Sequence, residues 1–426
     1  LGHFLPAKYF KTKVEKFYLF FDPYFSLVKK KIGETEYGIG WLPFGGYVKI
    51  AGMVDESMDT EQLKQPAQPW EFRAKPAWQR LIIMLGGVTV NFFLAWLIYG
   101  CLSFFNGETS FDTAKVDAPM NYTSVAKGMG FQDGDKILKV DGKTQNNLDK
   151  LALDVLLSDE ITVLRNGKEV TFPTNDDGKA MAFRDENPKA FLTPRFPAVI
   201  DSIYNPKTAQ AGLKVGDQVV SVDGKKISYY DEFQETVRNS SGKDIKVDVI
   251  RSGAIQPLVL SVSKEGTLGL VSYKQLKKFY ETKHFTFGQS IGRGFTRSIE
   301  SLTYQVKQFK LIFNKKVQGY KKVGGPLAII NNMQVKEAQD GSLSIDWTWF
   351  WSFTAMFSVW LAFLNLIPIP GLDGGHVIFT LYEMIVGKPV PQKILENAQM
   401  VGVIFLLGLM LLIFGADIFK IITNKF

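Results

Sequence analysis

Three long apolar stretches dominate the pattern of hydrophobic and polar positions. The first runs from Leu81 to Phe105, 25 residues without a charge. As a helix it would reach about 37 Å at ~1.5 Å per residue, enough to cross a hydrocarbon core of about 30 Å. A second runs from Trp347 to about Ile369, and a third from about Ala398 to Ile422, interrupted by Asp417 and, near its end, by Lys420. Soluble chains rarely contain three such lengths, so the pattern predicts three transmembrane helices.

The residues before the first stretch form two segments. Leu1 to about Phe21 has apolar positions and lysines at intervals but no full span, and the chain does not open with Met. We therefore expect residues 1–31 to hold the end of a truncated first transmembrane helix and a cytoplasmic extension. Residues 32–80 are polar and Gly-rich, and Tyr37–Ile50 combines β-forming residues with Pro43 and Gly45–Gly46. This segment predicts a membrane-associated β-hairpin and loop.

The middle of the chain contains an internal repeat. Gly134–Gly142 (GDKILKVDG) returns 82 residues later as Gly216–Gly224 (GDQVVSVDG). Each copy is followed by a strand-like segment that ends in a turn, Ile161–Gly167 and Val247–Gly253. A period of about 80 residues exceeds that of solenoid repeats. The repeat therefore predicts two tandem small domains, at residues 107–190 and 191–272.

A further helix is predicted within the segment 273–346. Its apolar residues recur at steps of three or four, on one face of a helix: Ile291, Phe295, Ile299, Leu302, Val306, Phe309 and Phe313. Arginines and lysines occupy the other faces. Such an amphipathic linker helix could lie on a membrane surface or pack against the repeat domains, and the pattern does not decide between them.

Composition narrows the possible partners and metal ligands. A chain of 426 residues is long enough for two to four folding units. Part of its net charge of +8 comes from lysines near apolar segments, such as Lys29–Lys31. This pattern fits the inner face of a lipid bilayer better than a nucleic acid. Its one cysteine, Cys101, excludes an intramolecular disulfide and a thiolate cage. Any metal must therefore be held by His, Asp, Glu or main-chain groups.

The strongest chemical signal is the segment Asn365–His376 (NLIPIPGLDGGH) at the end of an apolar stretch. Ionisable groups at membrane depth are costly and usually functional. The prolines and glycines end the helix, and irregular backbone is tolerated there only where it lines a cavity or is buried in protein. Taken singly, Asp373 could instead cap the next helix, and Asn365 could join two helices by a hydrogen bond.

The pattern N-x-x-P-x-P-x-L-D-G-G resembles the signature of site-2 proteases, a family of intramembrane zinc metalloproteases. The resemblance implies that Asp373 is a ligand of Zn²⁺. The other two ligands of the family are the histidines of an H-E-x-x-H helix. Leu1–Lys8 (LGHFLPAK) resembles that motif if Leu1 is aligned with its third residue. His3 would then be the second histidine, and the catalytic glutamate would immediately precede Leu1. The family pattern gives no ligand role to His376, and His284 lies far from any motif.

Such a ligand set suits hydrolysis. Histidines at i and i+4 share one helix face, and with a distant carboxylate they leave a fourth zinc position for water. The resemblance also implies that Asn365 hydrogen-bonds the substrate or the oxyanion. It implies that Gly45, Gly46 and Tyr47 hold an unwound substrate as an added strand. In the first apolar stretch, Gly87 and Asn91 resemble part of a G-P-x-x-N pattern of the family, with Val88 in place of the proline.

The two repeats resemble PDZ domains, which commonly bind peptide ends, although structural spacers are the alternative. Together with these repeats, the order of elements resembles the bacterial RseP-type branch. The predicted fold is thus a multi-pass α-helical membrane protein of about four transmembrane helices, with a β-hairpin and two inserted PDZ-like α+β domains. The third span with the L-D-G motif covers 347–376, and a cytoplasmic loop and fourth span cover 377–426. Lysines before Leu81, and Lys388 with Lys393 between the last two spans, predict that both of these connecting segments lie in the cytoplasm. The repeats would then lie outside, in the periplasm if the cell has an outer membrane, with the active site near the cytoplasmic side.

The expected function is a zinc-dependent endopeptidase of the inner membrane that cuts single-span membrane proteins, such as a pre-trimmed anti-sigma factor. A serine protease with tandem PDZ domains is an alternative, but the three histidines do not lie where its triad would need one. A catalytically inactive, membrane-anchored PDZ scaffold is the second alternative. It would need no zinc ligands, so the presence of His3 and Asp373 argues against it.

Overall fold

The structure is a computed structural model of the chain. It describes residues 1–42, 45–53, 66–111, 120–144, 148–184, 191–271, 280–317, 335–337 and 343–422. Pro43, in the predicted hairpin, lies outside the described residues.

The described helices are α1 (Phe4–Tyr9), α2 (Ala77–Phe105), α3 (Ser124–Gly128), α4 (Leu148–Leu157), α5 (Asp176–Arg184), α6 (Pro206–Gln210), α7 (Tyr230–Asn239), α8 (Phe287–Ile312), α9 (Trp347–Leu366), α10 (Asp373–Val386) and α11 (Gln392–Ile422). A short 3₁₀ helix covers Phe72–Ala74.

The described strands are β1 (Val14–Tyr18), β2 (Phe21–Ile32), β3 (Thr35–Leu42), β4 (Tyr47–Ile50), β5 (Glu108–Phe111), β6 (Met120–Tyr122), β7 (Lys136–Val140), β8 (Lys143–Thr144), β9 (Glu160–Arg165), β10 (Lys168–Pro173), β11 (Leu192–Pro194), β12 (Ser202–Ile203), β13 (Gln218–Val222), β14 (Lys225–Lys226), β15 (Asp244–Arg251), β16 (Ala254–Ser261), β17 (Leu270–Val271), β18 (Tyr280–Lys283), β19 (Val335–Glu337) and β20 (Leu343–Ile345).

These elements form two compact units. The first unit comprises Leu1–Gly107, His284–Val306 and Val323–Phe426. The second comprises Glu108–Lys283 and Lys307–Lys322.

The first unit contains the membrane-length helices. Among the described residues, three helices are long and apolar enough to cross a membrane: Ala77–Phe105, Trp347–Leu366 and Gln392–Phe419. They lie where the three apolar stretches predicted them. The first begins earlier than Leu81 because Pro76, at its N-cap, starts the helix. The end of the first predicted span, expected within residues 1–31, corresponds to the six residues of α1.

A four-stranded sheet replaces the predicted hairpin. Its order is β2-β3-β1-β4. Strand β1 lies between β3 and β4, parallel to β3 and antiparallel to β4, so the segments around Gly45–Gly46 do not pair with each other. The extension expected within residues 1–31 contains β1 and most of β2, so it contributes strands to this sheet. Val14 and Tyr18, the two end residues of β1, are both buried.

The helix boundaries around the L-D-G motif differ from the prediction. Helix α9 ends at Leu366, before the two prolines, and Asp373 is the first residue of a new helix. Most of the loop expected after residue 376 is therefore helical, as far as Val386. Gly387, with φ of +71°, then ends α10 in the left-handed conformation.

The second unit contains two domains with the same strand order. The sheets are β10-β9-β7-β8 and, in the equivalent direction, β16-β15-β13-β14. Each has its own apolar core, one around Val155 and Ile161 and the other around Phe233 and Val247. The tandem arrangement predicted from the repeat is therefore present. The identity of the two domains as PDZ domains stays a prediction.

The boundary between the two domains lies later than predicted. Strand β11 pairs with β6 of the first domain. Phe191 and Leu192 are also buried in the first core, whereas Ala198 is buried in the second. Residues 191–194 thus belong to the first domain, because their strand completes its small second sheet.

Both domains contain the same buried ion pair. Arg165 donates two hydrogen bonds to Asp135, and Arg251 donates two to Asp217. The aspartates come from the two copies of the Gly-Asp motif, and the arginines from the strand segments that follow each copy. In each copy, the ion pair therefore joins the Gly-Asp motif to the strand segment that follows it.

Helix α8 is the predicted amphipathic helix, but its buried face differs from its apolar one. Ser290 and Ser298 are buried, and a Cβ at Gly294 would lie 2.6 Å from the backbone nitrogen of Gly100 in α2. Ile291 and Phe295, on the predicted apolar face, are each 45% exposed. Small residues thus pack α8 against a membrane-length helix, as is common between membrane helices.

Candidate metal centre

His3 is held in a defined orientation at the start of α1. Its Nδ1 lies 2.9 Å from the backbone oxygen of Ile83 in α2. A carbonyl oxygen only accepts, so Nδ1 carries the hydrogen and donates it. In the neutral imidazole, Nε2 is then left with a free lone pair. Donation from the other ring nitrogen to a carbonyl is the usual arrangement of a metal-binding histidine.

Asp373 faces this lone pair. Its Oδ2 lies 3.3 Å from Nε2 of His3. The same oxygen is buried and has no hydrogen bond of acceptable geometry to any described residue. A buried carboxylate oxygen without a partner is costly unless a cation or a proton is shared with it. The two side chains therefore form a place where a cation would be stabilised.

Gly87 of α2 provides the space beside this pair. A Cβ at Gly87 would lie 2.5 Å from Nε2 of His3 and 3.1 Å from Oδ2 of Asp373. Both distances are too short for an ordinary contact, so any larger side chain would displace the two groups. Gly87 thus keeps open the point at which the imidazole and the carboxylate converge.

The donor set fits zinc. Imidazole nitrogen and carboxylate oxygen are both common zinc ligands, and catalytic sites normally take three protein ligands. No group of three His, Cys, Asp or Glu side chains suited to a metal occurs within the described part of the chain. His3 and Asp373 would therefore be two of the three. Asp373 is the first helical residue and not the N-cap, which is Leu372, so the capping alternative does not describe it.

The segment between α9 and α10 places Asp373 through close backbone packing. A Cβ at Gly374 would lie 2.3 Å from the carbonyl oxygen of Ile367. A Cβ at Gly402 of α11 would lie 1.4 Å from the carbonyl oxygen of Pro370. The glycines thus let α10 and α11 press directly against the irregular segment, most of whose residues are partly buried.

Asn365 lies in the last turn of α9, two residues before this segment. No side-chain hydrogen bond joins it to another residue that the structure describes, and its side chain is partly exposed. The helix-joining alternative is therefore not what the described contacts show. A substrate role for Asn365 stays a prediction.

Gly45, Gly46 and Tyr47 lie where the chain enters β4, an edge strand of the four-stranded sheet. Both glycines are exposed. The hydroxyl of Tyr47 donates to Asp22 at 2.6 Å, and its ring stacks on Tyr18. Burial and this hydrogen bond raise the pKa of Tyr47, which keeps the hydroxyl protonated. Its side chain therefore anchors the edge strand.

Of the other two histidines, His376 lies close enough to interact electrostatically with Asp373 and His3, whereas His284 lies elsewhere. His376 follows Asp373 by one turn of α10, and the described residues show no hydrogen bond or ion pair from its ring. His284 lies between β18 and α8.

Comparison with known proteins identifies the family. Residues 1–409 match the model of Peptidase family M50. The chain belongs to peptidase family M50. It is 27% identical over 423 residues to a Clostridium perfringens protein named "Putative zinc metalloprotease", covering 98% of this chain and 93% of the relative. It is 28% identical over 434 residues to an Escherichia coli protein named "Regulator of sigma-E protease RseP", covering 96% of this chain and 92% of that relative.

Membership of M50 confirms the predicted activity class. The M50 family of site-2 proteases is zinc-dependent, so the chain is a zinc metalloendopeptidase. Its three membrane-length helices agree with an inner-membrane protease of this family.

Two groups at the centre could not be assigned from the sequence. The carbonyl of Ile83 orients His3, and a main-chain group leaves no side-chain signature. Gly87 did have a signal, the partial G-P-x-x-N pattern, but that pattern did not indicate the space that the structure shows.

Proposed function

We propose that this M50 peptidase hydrolyses peptide bonds within single-span membrane proteins, with His3 and Asp373 as two of its three protein zinc ligands. The observation that carries the proposal is the convergence of Nε2 of His3 and Oδ2 of Asp373, 3.3 Å apart. The carbonyl of Ile83 fixes the tautomer of the histidine, and Oδ2 has no other partner among the described residues.

A bound zinc would lower the pKa of a water to roughly 7 and polarise the scissile carbonyl. The residues of this chain hold and orient that centre: Ile83 directs the imidazole, Gly87 leaves room, and the irregular segment before Asp373 positions the carboxylate. The resemblance to the H-E-x-x-H motif places the general base, a glutamate, immediately before Leu1.

The substrate would bind as an extended strand. A helical peptide bond is shielded by its own turns, so cleavage requires local unwinding. Among the described residues β4 is an edge strand, and exposed Gly45 and Gly46 precede it, so a substrate segment could add to the sheet by main-chain hydrogen bonds. Asn365 has no described hydrogen bond and would be free to bind the substrate backbone or the oxyanion.

The two repeat domains would select the substrate from the periplasmic side. Lysines occur in the segment before Leu81 and in the segment between α10 and α11, and they favour a cytoplasmic position for both segments. The repeats, as PDZ-like domains, would then exclude proteins that another protease has not trimmed, and a trimmed anti-sigma factor is the expected substrate class. This selection is disproved if full-length and trimmed candidates are cut equally by the intact enzyme.

The test combines metal content with cleavage of a model transmembrane substrate by the purified full-length protein. We expect about one zinc per chain in the wild type. Asp373→Ala and His3→Ala should each lose zinc and cleavage together, because each removes a ligand. His284→Ala is the matched control, since this histidine lies outside the centre, and it should retain both.

The scaffold alternative predicts a different result. A wild-type protein without zinc and without cleavage would support an inactive membrane-anchored scaffold. Retention of zinc in Asp373→Ala would remove this residue from the ligand set.

A further inference from the structure

Helices α2 and α10 pack along a seam that ends at the metal centre. On α2, Arg80, Met84 and Gly87 are spaced by four and three residues and so share one face. At one end of the seam Gly87 lies against Asp373. At the other end Arg80 forms an ion pair with Glu383.

The ion pair lies well inside the protein. The side chains of Arg80 and Glu383 are 14% and 19% exposed. Nε of Arg80 also donates to the backbone oxygen of Lys75 at 3.0 Å, which fixes the guanidinium to the chain just before α2. A half-buried pair with a second hydrogen bond has a more defined geometry than an exposed lysine pair.

Between the two ends, the seam is apolar. Ile83 and Met84 are fully buried, and Val377 of α10 packs against their cluster, which also contains Ala7 of α1. Apolar contacts are non-directional and would tolerate small shifts of α10 along its axis. Close backbone packing of Gly374 holds the start of α10, and a directional polar contact further along the helix can select one register for the rest of it.

We propose that the Arg80–Glu383 ion pair sets the register of α10 against α2 and thereby positions Asp373 opposite His3. Both residues are positioning residues, because Glu383 lies ten residues, or about 15 Å, along α10 from Asp373. A slip of one residue would move the carboxylate by about 1.5 Å and rotate it away from the imidazole. Zinc coordination tolerates distance errors of only about 0.2 Å.

This inference rests on the proposed zinc site, and its test therefore measures zinc affinity directly. The variants are Glu383→Gln, Arg80→Glu, Glu383→Arg and the exchanged double variant Arg80→Glu/Glu383→Arg, each purified as the full chain. Zinc affinity is measured by chelator competition, and thermal unfolding is followed with and without added zinc. Glu300→Gln is the matched control, because Glu300 pairs with Arg293 within α8, away from the seam.

We expect Glu383→Gln to weaken zinc binding roughly 10-fold, the lower end of the effect of outer-shell changes at metal sites. The single charge reversals should weaken it further, and the exchanged pair should recover affinity to within about 3-fold of wild type if pairing is what matters. The rise in melting temperature on adding zinc should shrink in the same order. In cleavage assays at limiting zinc, kcat should fall while KM is kept.

Other results would overturn the inference. If Glu383→Gln lowers the melting temperature of zinc-free protein but keeps wild-type zinc affinity, the pair is only structural. If the exchanged variant binds no better than the single reversals, pairing does not set the register. Absence of zinc from the wild type would instead refute the proposed function. The milder Glu383→Gln decides the matter if the reversed variants do not fold.

Discussion

The pairing of His3 with Asp373 depends on a third residue that contributes no atom to it. His3 is oriented by a carbonyl of α2, and Gly87, four residues further along the same helix, leaves the space in front of its Nε2. One turn of α2 therefore both directs the imidazole and makes room for what binds between imidazole and carboxylate. The centre is assembled on α2 although neither proposed ligand belongs to it.

Gly87→Ala tests this role of empty space. Its Cβ would lie 2.5 Å from Nε2 of His3, so the imidazole must move and zinc affinity should fall by roughly 10- to 100-fold. Chelator competition on the purified protein measures the loss. Gly408→Ala is the matched control, because a Cβ at Gly408 in α11 meets nothing within 4 Å. Equal zinc affinity in both variants would show that the space beside His3 is not required.

The sequence was sufficient to predict the two side chains of the centre but not their surroundings. His3 and Asp373 stand in recognisable motifs, and the structure brings them together. Their role as zinc ligands stays a prediction that the metal analysis tests. The Ile83 carbonyl and the Arg80–Glu383 pair depend on how α2 packs against distant segments, and no local pattern encodes that register.

At the level of elements, long-range pairing explains where the predictions were wrong. Residues 14–18 are too few for a clear strand signal, and β1 is stabilised by β3 and β4, about 20 to 36 residues away. Because β1 lies between β3 and β4, these two strands do not pair, although the turn residues between them predicted a hairpin. By contrast, α2, α9 and α11 were predictable because length and apolar composition are local properties.

The repeated ion pair gives the second domain a predictable response to acid. Burial alone would raise the pKa of Asp217, but hydrogen bonds from Arg251 and from the backbone of Lys214 outweigh it, and the folded pKa is lowered. Its stabilising contribution is therefore complete above the unfolded value of about 3.9 and is lost as pH falls through the lower folded value. The domain should open more readily in acid.

Asp217→Asn should remove this dependence. The variant leaves Arg251 without its carboxylate, so amide exchange in β13 and β15 should accelerate roughly tenfold at neutral pH. It should also change less than wild type on acidification. Hydrogen–deuterium exchange by mass spectrometry of the intact protein gives both values. Asp244→Asn, on the exposed start of β15, is the control. Identical exchange in the Asp217 and Asp244 variants would contradict a stabilising role for the pair.

For the whole molecule, the order of membrane-length helices and charged segments predicts sidedness. One such helix, α2, separates the lysine-rich β2–β3 segment from the two repeat domains, and α9 separates the repeats from Lys388. A single crossing places what precedes and follows it on opposite sides. Since lysines favour the cytoplasm, Lys30 and Lys388 should lie inside and the repeats outside.

Cysteine labelling decides this arrangement, because Cys101 is the chain's one cysteine and Cys101→Ser gives a cysteine-free background. In that background, Lys30→Cys, Lys264→Cys and Lys388→Cys each introduce one thiol, and Lys264 is exposed in the second repeat domain. A membrane-impermeant maleimide should label only Lys264→Cys in spheroplasts, and the other two only in inverted vesicles. Labelling in detergent controls for reactivity. If the thiols at 30 and 264 react from the same side, α2 does not cross the membrane, and the proposed selection of substrates by periplasmic repeats fails with it.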